Sequence, residues 1–156
     1  MKLRLVAIGS RPPAWVSAGF EAYARRLPRE MPLELVEIAS VARRNLPAAR
    51  VREAEGARLL AQTGSRDWVV ALDERGRART TTELAERLDD WRMQGRDVAF
   101  LIGGADGLDA ACLERADETL SLSPMTMPHA LVRVLLAEQL YRAWTVLSGH
   151  PYHTGH

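Results

Sequence analysis

The chain has 156 residues, about the length of one domain with a sizeable core, so we expect residues 1–156 to form a single domain. Its 21 basic and 20 acidic side chains give a net charge of +1, which excludes a polybasic protein that binds nucleic acid through bulk charge. A single cysteine, Cys112, excludes an internal disulfide framework and a multi-cysteine metal site. The sequence has neither a membrane span nor a signal-peptide pattern, so we expect a cytoplasmic protein without a membrane partner.

Strands and helices are predicted to alternate along the chain, and this order is typical of an α/β fold with a mostly parallel sheet. In chain order, the predicted elements are a strand at Lys2–Ile8, a helix at Ala14–Leu27, a strand at Leu33–Ile38, a helix at Ala48–Gln62, a strand at Trp68–Leu72, a helix at Thr82–Gln94, a strand at Val98–Ile102, a short helix at Leu108–Ala116, a strand at Thr119–Leu122 and a last helix from Pro128 to about Ser148.

The charge is spread unevenly. Residues 1–60 hold 11 basic and 6 acidic side chains, whereas residues 61–156 hold 10 and 14. All but one of the basic residues are arginines. Two interpretations remain open, namely solvated helix faces, or a positive face of the first half that contacts phosphates through planar guanidinium groups.

Ligands of parallel α/β sheets bind beyond the carboxyl ends of the strands, so the loops at those ends are the first candidates for a site. They are Gly9–Pro13, Asp73–Gly76, Gly103–Gly107 and Ser123–Pro128. The glycine-rich loop 103–107 has neither dinucleotide-binding nor P-loop spacing. It is therefore either a close approach of backbone to a ligand or simply a tight turn.

Residues 120–129 combine two prolines, two methionines and three serine or threonine hydroxyls just before the last helix. We expect so stiff and apolar a segment to be buried, with Met125 and Met127 lining a ring of backbone donors and acceptors. Such a ring suits an adenine and a thioether, because apolar walls cover the base while backbone groups contact its edge. A packed crossover is the alternative.

The last helix is apolar on nearly every face, since 13 of residues 130–147 are apolar. In so small a domain, burial of all these faces favours a subunit interface. Glu138 and Arg142 are four residues apart and are expected to form an ion pair, either structural or functional. The following tail contains Tyr152 and three histidines, among them His153 and His156, a set that suits stacking on a base better than binding a metal.

Taken together, these segments resemble the small methyltransferases of the SPOUT superfamily that modify N3 of a pseudouridine in large-subunit ribosomal RNA. The resemblance covers essentially the whole chain. The residues that carry it are Met1-Lys2-Leu3, Gly9, Trp15, Gly19-Phe20, Tyr23, Leu101-Ile102-Gly103-Gly104, Gly107-Leu108, Leu120–Ser123, Pro128-His129, Leu131-Val132-Arg133-Val134, Glu138, Leu140-Tyr141-Arg142-Ala143-Trp144 and His150-Pro151-Tyr152-His153.

The resemblance implies a trefoil-knotted fold with a deep C-terminal knot, an exception to the rule that chains do not thread. It also implies a homodimer, S-adenosylmethionine as the methyl donor, and the ribosome or its large-subunit RNA, rather than DNA, as the partner. The cofactor positions that it transfers to this sequence are Leu72, Gly103, Gly104, Leu122, Ser123, Pro124, Met125, Thr126 and Met127.

The resemblance further implies that the tail contacts the substrate of the partner subunit. Nitrogen attack at N3 requires loss of a proton, so a base or a cation near the ring would help. The candidate bases are His153 and His129, Arg142 is the candidate charge stabiliser, and Tyr152 is the candidate stacking wall. Many relatives carry a basic residue just after the second tail histidine, where this chain has Thr154.

Two other classes of function are alternatives. The first is a ribosome-binding or assembly factor without catalysis. The second is a small hydrolase that uses Ser123 and His129, against which the sequence lacks the Gly-x-Ser-x-Gly motif of such enzymes.

Overall fold

A computed structural model describes residues 1–155. Apart from one strand, the bounds of its helices and strands agree with those expected from the sequence to within three residues. In chain order the elements are β1 (Leu3–Ile8), α1 (Ala14–Ala24), β2 (Leu33–Ile38), α2 (Ala48–Leu60), β3 (Trp68–Ala78), α3 (Thr81–Gln94), β4 (Val98–Ile102), α4 (Ala110–Arg115), β5 (Glu118–Ser121), α5 (His129–Ser148) and a 3₁₀ turn at Pro151–Thr154.

The five strands form one fully parallel sheet in the order β2-β1-β4-β3-β5. Helices α1, α3 and α5 pack together on one face, and α2 and α4 pack together on the other. The central strands β1 and β4 are therefore covered on both sides, which explains why their sequences are apolar at almost every position. The predicted α/β fold with a parallel sheet is confirmed.

The larger core lies between the sheet and helices α1, α3 and α5. It contains Phe20 from α1, Trp91 from α3 and Leu140 from α5, each at most 2% exposed. A smaller core on the other face contains Leu59 and Cys112. Because both layers of helices bury apolar side chains, the carboxyl edge of the sheet and its loops are held on a rigid base.

The strand β3 departs from the sequence prediction, which ended it at Leu72. The strand instead continues to Ala78 after a bulge, since Leu72 and Arg77 both pair with Leu120 of β5. The intervening residues 73–76 (Asp-Glu-Arg-Gly) do not pair with β5, as their turn-like composition predicts. The chain then pairs with β5 again. Gly76 allows this return, because a Cβ there would lie 3.0–3.1 Å from backbone atoms of Asp73 and Leu120.

The helix α5 begins after Pro128 and ends at Gly149, whose φ of 75° caps it in the left-handed region. Within the single chain it is covered by α1, α3 and the sheet, which bury seven of its side chains. Its outer side retains exposed apolar residues, Leu135 and Leu147. One chain therefore covers only part of its apolar surface. No helix in residues 1–155 combines the length and apolarity needed to cross a membrane.

Candidate functional site

A cleft of about 1240 Å³ opens at the carboxyl edge of the sheet, between the ends of β3, β4 and β5. Its walls also include the first turn of α5 and parts of α2 and α4. Of the nine predicted cofactor residues, Pro124 does not line it. The eight that do are Leu72, Gly103, Gly104, Leu122, Ser123, Met125, Thr126 and Met127.

The glycine turn after β4 is closed by contacts of backbone with backbone. A Cβ on Gly103 would lie 2.6 Å from the carbonyl carbon and oxygen of Gly107, and Gly107 itself has a φ of +79°. Gly104 forms an antiparallel bridge with Gly107, whose N–H donates to the Gly104 carbonyl over 3.0 Å. The packing of the turn itself therefore requires a glycine at position 103, whether or not a ligand is bound. This turn forms one wall of the cleft.

The segment 122–127 is less buried than its composition predicts. Pro124, Met125 and Thr126 are exposed, Met125 with three quarters of its surface. The expectation of a buried ring is therefore wrong for the single chain, because no element of the described chain covers this side. Ser123 Oγ accepts a hydrogen bond from the Met125 N–H, which folds the segment back on itself.

The bulge of β3 and segment 122–127 are tied together at the cleft mouth. Thr126 Oγ1 donates to the Glu74 carboxylate over 2.9 Å, and Ser121 Oγ donates to the Glu74 carbonyl over 3.0 Å. Beside them, burial by itself raises the pKa of Asp73, but hydrogen bonds from Arg75 hold it below its ordinary value. Asp73 therefore stays an anion at neutral pH on the rim of the cleft.

Several lining residues were not expected from the sequence. Ile102 and Val132 add to the apolar wall, and Arg52 of α2 adds a cation. Only Val132 carried a signal, since it follows His129 by three residues and so shares its helix face. Apolar walls, a glycine turn without side chains and polar groups at the rim fit S-adenosylmethionine, which combines an adenine, a thioether-like sulfonium centre and a charged amino-acid end.

His129 lies at this cleft, and the buried Arg133 one turn later fixes the neighbouring backbone. The Arg133 guanidinium is 1% exposed and donates to the carbonyls of Gly9 over 2.6 Å and Ile8 over 3.1 Å. It also pairs with Glu37 over 3.0 Å. A Cβ on Gly9 would stand 3.4 Å from the His129 ring. Arg133 thus joins α5 to the ends of β1 and β2.

The predicted pair of Glu138 and Arg142 is present and includes Tyr152. The Arg142 Nε donates to Glu138 over 2.8 Å, and the Tyr152 hydroxyl donates to the same carboxylate oxygen over 3.2 Å. The Arg142 guanidinium lies 5.0 Å over the Tyr152 ring. The hydrogen bond that Arg142 donates to Glu138 raises the pKa of Arg142, while burial and then the Glu138 charge raise the pKa of Tyr152. At neutral pH the cluster therefore holds a fixed cation beside a neutral phenol.

The tail continues this cluster as a single 3₁₀ turn. Tyr152 also packs on Tyr141, with ring centroids 4.6 Å apart. The Nδ1 atom of His153 is buried and has no hydrogen-bond partner in residues 1–155. The same part of the chain holds no group of three or more residues that could ligate a metal, and His156 lies outside the described residues.

The structure divides the predicted catalytic residues into two groups. His129 lines the cleft, whereas Arg142 lies thirteen residues further along the same helix, about 20 Å away at 1.5 Å per residue. Tyr152 and His153 are at that far end with Arg142. One chain therefore does not bring its tail cluster to its own cleft.

In residues 1–155, neither the single cysteine nor the Ser123 of the alternative hydrolase has the surroundings of a catalytic nucleophile. Cys112 is fully buried, and burial followed by its contact with Asp109 raises its pKa to about 12, so it is an unreactive thiol. Within residues 1–155, the Ser123 hydroxyl accepts a hydrogen bond from the Met125 N–H and has no histidine partner.

Comparisons with known proteins identify the family of the chain. Residues 1–153 match the family model described as "Predicted SPOUT methyltransferase". The chain is 56% identical over 154 residues to the ribosomal RNA large subunit methyltransferase H of Thioalkalivibrio sulfidiphilus, covering 98% of this chain and 99% of that protein. It is 55% identical to the protein of the same name from Methylococcus capsulatus, with the same coverage.

Among solved structures, a probable methylase family protein from Haemophilus influenzae Rd KW20 has the same fold. It superposes with a TM-score of 0.59 at 13% identity, covering 96% of this chain and 69% of that one. The resemblance predicted from the sequence is confirmed, and with it the enzyme class and S-adenosylmethionine as cofactor. With a family model matched over almost its whole length and relatives more than half identical to it, the chain belongs to the SPOUT methyltransferase family.

Proposed function

We propose that this protein transfers the methyl group of S-adenosylmethionine to N3 of a pseudouridine in large-subunit ribosomal RNA, acting on the assembled ribosome. The observation that carries the proposal is the cleft, which collects eight predicted cofactor residues at the carboxyl edge of the sheet. The names of the relatives supply the class of RNA. The ribosomes on which it acts place the protein in the cytoplasm.

Different cleft residues contact different parts of the cofactor. Leu72, Leu122 and Met127 provide apolar walls for the adenine, and the backbone of Gly103 and Gly104 provides hydrogen-bonding groups near it. The exposed Met125 is placed to fold over the bound molecule. When bound, S-adenosylmethionine supplies a sulfonium-activated methyl group. Threading of residues 122–127 as a knot remains a prediction from the resemblance, as does a single domain over the full chain.

A homodimer is the arrangement that completes the site. The tail cluster lies about 20 Å from the cleft of its own chain along α5. A two-fold axis that pairs the α5 helices in antiparallel orientation brings the tail of one subunit beside the cleft of the other. Exposed apolar residues on α1 and α5, among them Trp15, Leu135 and Leu147, supply surface for such an interface.

The tail cluster then acts on the target base. The Tyr152 ring provides a wall on which the base stacks, which aligns its N3 with the methyl group. The Arg142 guanidinium, held by Glu138, stabilises the negative charge that the ring gains when N3 loses its proton. The buried, unpartnered Nδ1 of His153, or the His129 ring in the cleft, accepts that proton.

Methylation of isolated ribosomal particles tests this function. We expect the purified protein with labelled S-adenosylmethionine to add one methyl group per assembled ribosome taken from cells that lack the protein. Mass mapping of the large-subunit RNA should place it on a single pseudouridine. Ribosomes from cells that contain the protein should accept no label and serve as the control.

A ribosome-binding factor without catalysis is the rival function. Calorimetric titration with S-adenosylmethionine and with its demethylated product separates the two. Binding of the ligand to the cleft together with methyl transfer supports the methyltransferase. Binding to large subunits in the absence of any affinity for S-adenosylmethionine would contradict it.

A further inference from the structure

The side of the cleft next to β1 and β2 is rich in arginine. Residues 39–52, which connect β2 to α2 and form the first part of α2, contain four arginines and no acidic residue. Two of the four are neutralised by neighbours. Arg43 pairs with Asp106 over 2.6 Å and Arg50 pairs with Glu53 over 3.2 Å.

Three guanidinium groups on this side have no such neighbour. Within residues 1–155, the side chains of Arg11, Arg44 and Arg52 form no hydrogen bond or ion pair. Arg11 and Arg44 are exposed, and Arg52 lines the cleft. We call these three residues the arginine rim.

The fold places the arginine rim along one side of the cleft mouth. The Gly9 N–H donates to the Ile38 carbonyl over 2.7 Å, so the loops that carry Arg11 and Arg44 leave the sheet side by side. The pair of Arg43 and Asp106 then fixes the second loop to the glycine turn. Three of the eleven basic residues of the first half of the sequence therefore belong to this side of the cleft.

The backbone of these loops is strained. The non-glycine residues with positive φ in residues 1–155 are Arg11 at 56°, Arg44 at 29° and Asn45 at 68°. All three lie in the two loops of the rim. Strained backbone of this kind is typical of loops that contact a ligand, because folding alone gives no reason to retain it.

The charge of the rim does not match the cofactor. S-adenosylmethionine carries a sulfonium, an ammonium and one carboxylate, so its net charge has the same sign as the rim. A phosphodiester backbone has the opposite charge, and its oxygens match the fork of a guanidinium. The rim therefore complements the RNA rather than the methyl donor.

We propose that Arg11, Arg44 and Arg52 bind phosphates of large-subunit ribosomal RNA on either side of the target nucleotide and so position it over the cleft. This inference rests on the proposed function, because it takes the RNA as the substrate. It assigns RNA binding to a few loop residues rather than to the nearly neutral molecule as a whole.

Paired substitutions test the rim. The double variant R11Q/R44Q removes two exposed charges that do not line the cleft. The matched control R29Q/R66Q removes two exposed arginines from the loops that precede β2 and β3, at the opposite edge of the sheet. The measurement is equilibrium binding to large ribosomal subunits over a range of salt concentrations, with calorimetry of S-adenosylmethionine in parallel.

We expect R11Q/R44Q to bind subunits about tenfold more weakly than the wild type. The slope of log affinity against log salt should fall by about one for each arginine removed. The control should behave as the wild type, and both variants should bind S-adenosylmethionine within about twofold of it, which also reports that they are folded.

Four results would overturn the inference. They are unchanged subunit binding by R11Q/R44Q, an equal loss in the control, a loss of cofactor affinity, and a loss that disappears on protein-free ribosomal RNA. The last would identify the partner as an acidic ribosomal protein. If the wild type itself neither binds nor methylates subunits, the proposed function fails. If the wild type does both and only the prediction for R11Q/R44Q is wrong, the inference about the rim fails alone.

Discussion

Tyr152 is the residue whose surroundings best define its role. Its ring packs at a tilt against Tyr141 and lies near the Arg142 guanidinium, while its hydroxyl donates to Glu138. The ring and the hydroxyl therefore make separate contacts, one with aromatic and cationic neighbours and one with a carboxylate. A phenylalanine retains the first set of contacts, and an alanine retains neither.

We predict that Tyr152→Phe keeps methyl transfer within about threefold of the wild type. Tyr152→Ala should lower kcat/KM roughly 10- to 100-fold, because stacking of a base on an aromatic ring contributes about 1–3 kcal/mol. The measurement is the rate of methyl transfer to assembled ribosomes. Calorimetry of S-adenosylmethionine is the control and should show little change in either variant. Equal and severe losses in both variants would transfer the role from the ring to the hydroxyl.

The glycine turn after β4 shows how an element can shape the site without contacting the substrate. A Cβ on Gly103 meets the Gly107 carbonyl group at 2.6 Å, a contact that side chains essentially never make. Gly95, at the end of α3, has a φ of +66° but open space around the position of a Cβ. Gly103 is therefore required because a Cβ has no space in the cleft wall, whereas Gly95 is required only for its backbone conformation.

We predict that Gly103→Ala weakens S-adenosylmethionine binding at least about tenfold, since the turn must open to accept the methyl group and one wall of the cleft moves with it. Gly95→Ala should lower the free energy of unfolding by about 1 kcal/mol through backbone strain and leave cofactor affinity unchanged. Calorimetry and thermal unfolding measure the two effects. Wild-type cofactor affinity in Gly103→Ala would show that the turn does not form part of the binding site.

At the scale of the whole molecule, the fold separates the two halves of the proposed site. The cleft lies at the carboxyl edge of the sheet, and α5 carries the Arg142 and Tyr152 cluster away toward the other edge. If two subunits build each site, a defect in one half can be complemented by a partner that is intact in that half.

We predict that coexpression of Gly103→Val with Tyr152→Ala gives more activity than either variant has alone. Random assembly makes half of the dimers mixed, and one of the two sites in each mixed dimer is intact, so about a quarter of the wild-type activity should return. Each variant coexpressed with itself is the control. No recovery in tagged, purified mixed dimers would place the whole site within one chain.

The sequence by itself determined the order of elements, the parallel sheet and the cleft. Apolar runs bounded by glycine and proline indicated β1 and β4, and those ends predicted where ligands bind. The same local signals predicted the wrong end for β3, because residues 73–76 have the composition of a turn. Pairing with Leu120 resumes the strand after them, and that pairing is a contact between distant residues which no local pattern encodes.

Only the tertiary structure decided how the candidate residues are grouped. It exposed Met125 instead of burying it, and it placed His129 apart from Arg142 and Tyr152. Among residues 1–155 it also left Arg11, Arg44 and Arg52 without an ion-pair partner, although the chain is nearly neutral. The physical reason is common to all three: periodicity and turn chemistry are local, whereas burial, ion pairing and the meeting of two loops depend on which distant segments the sheet brings together.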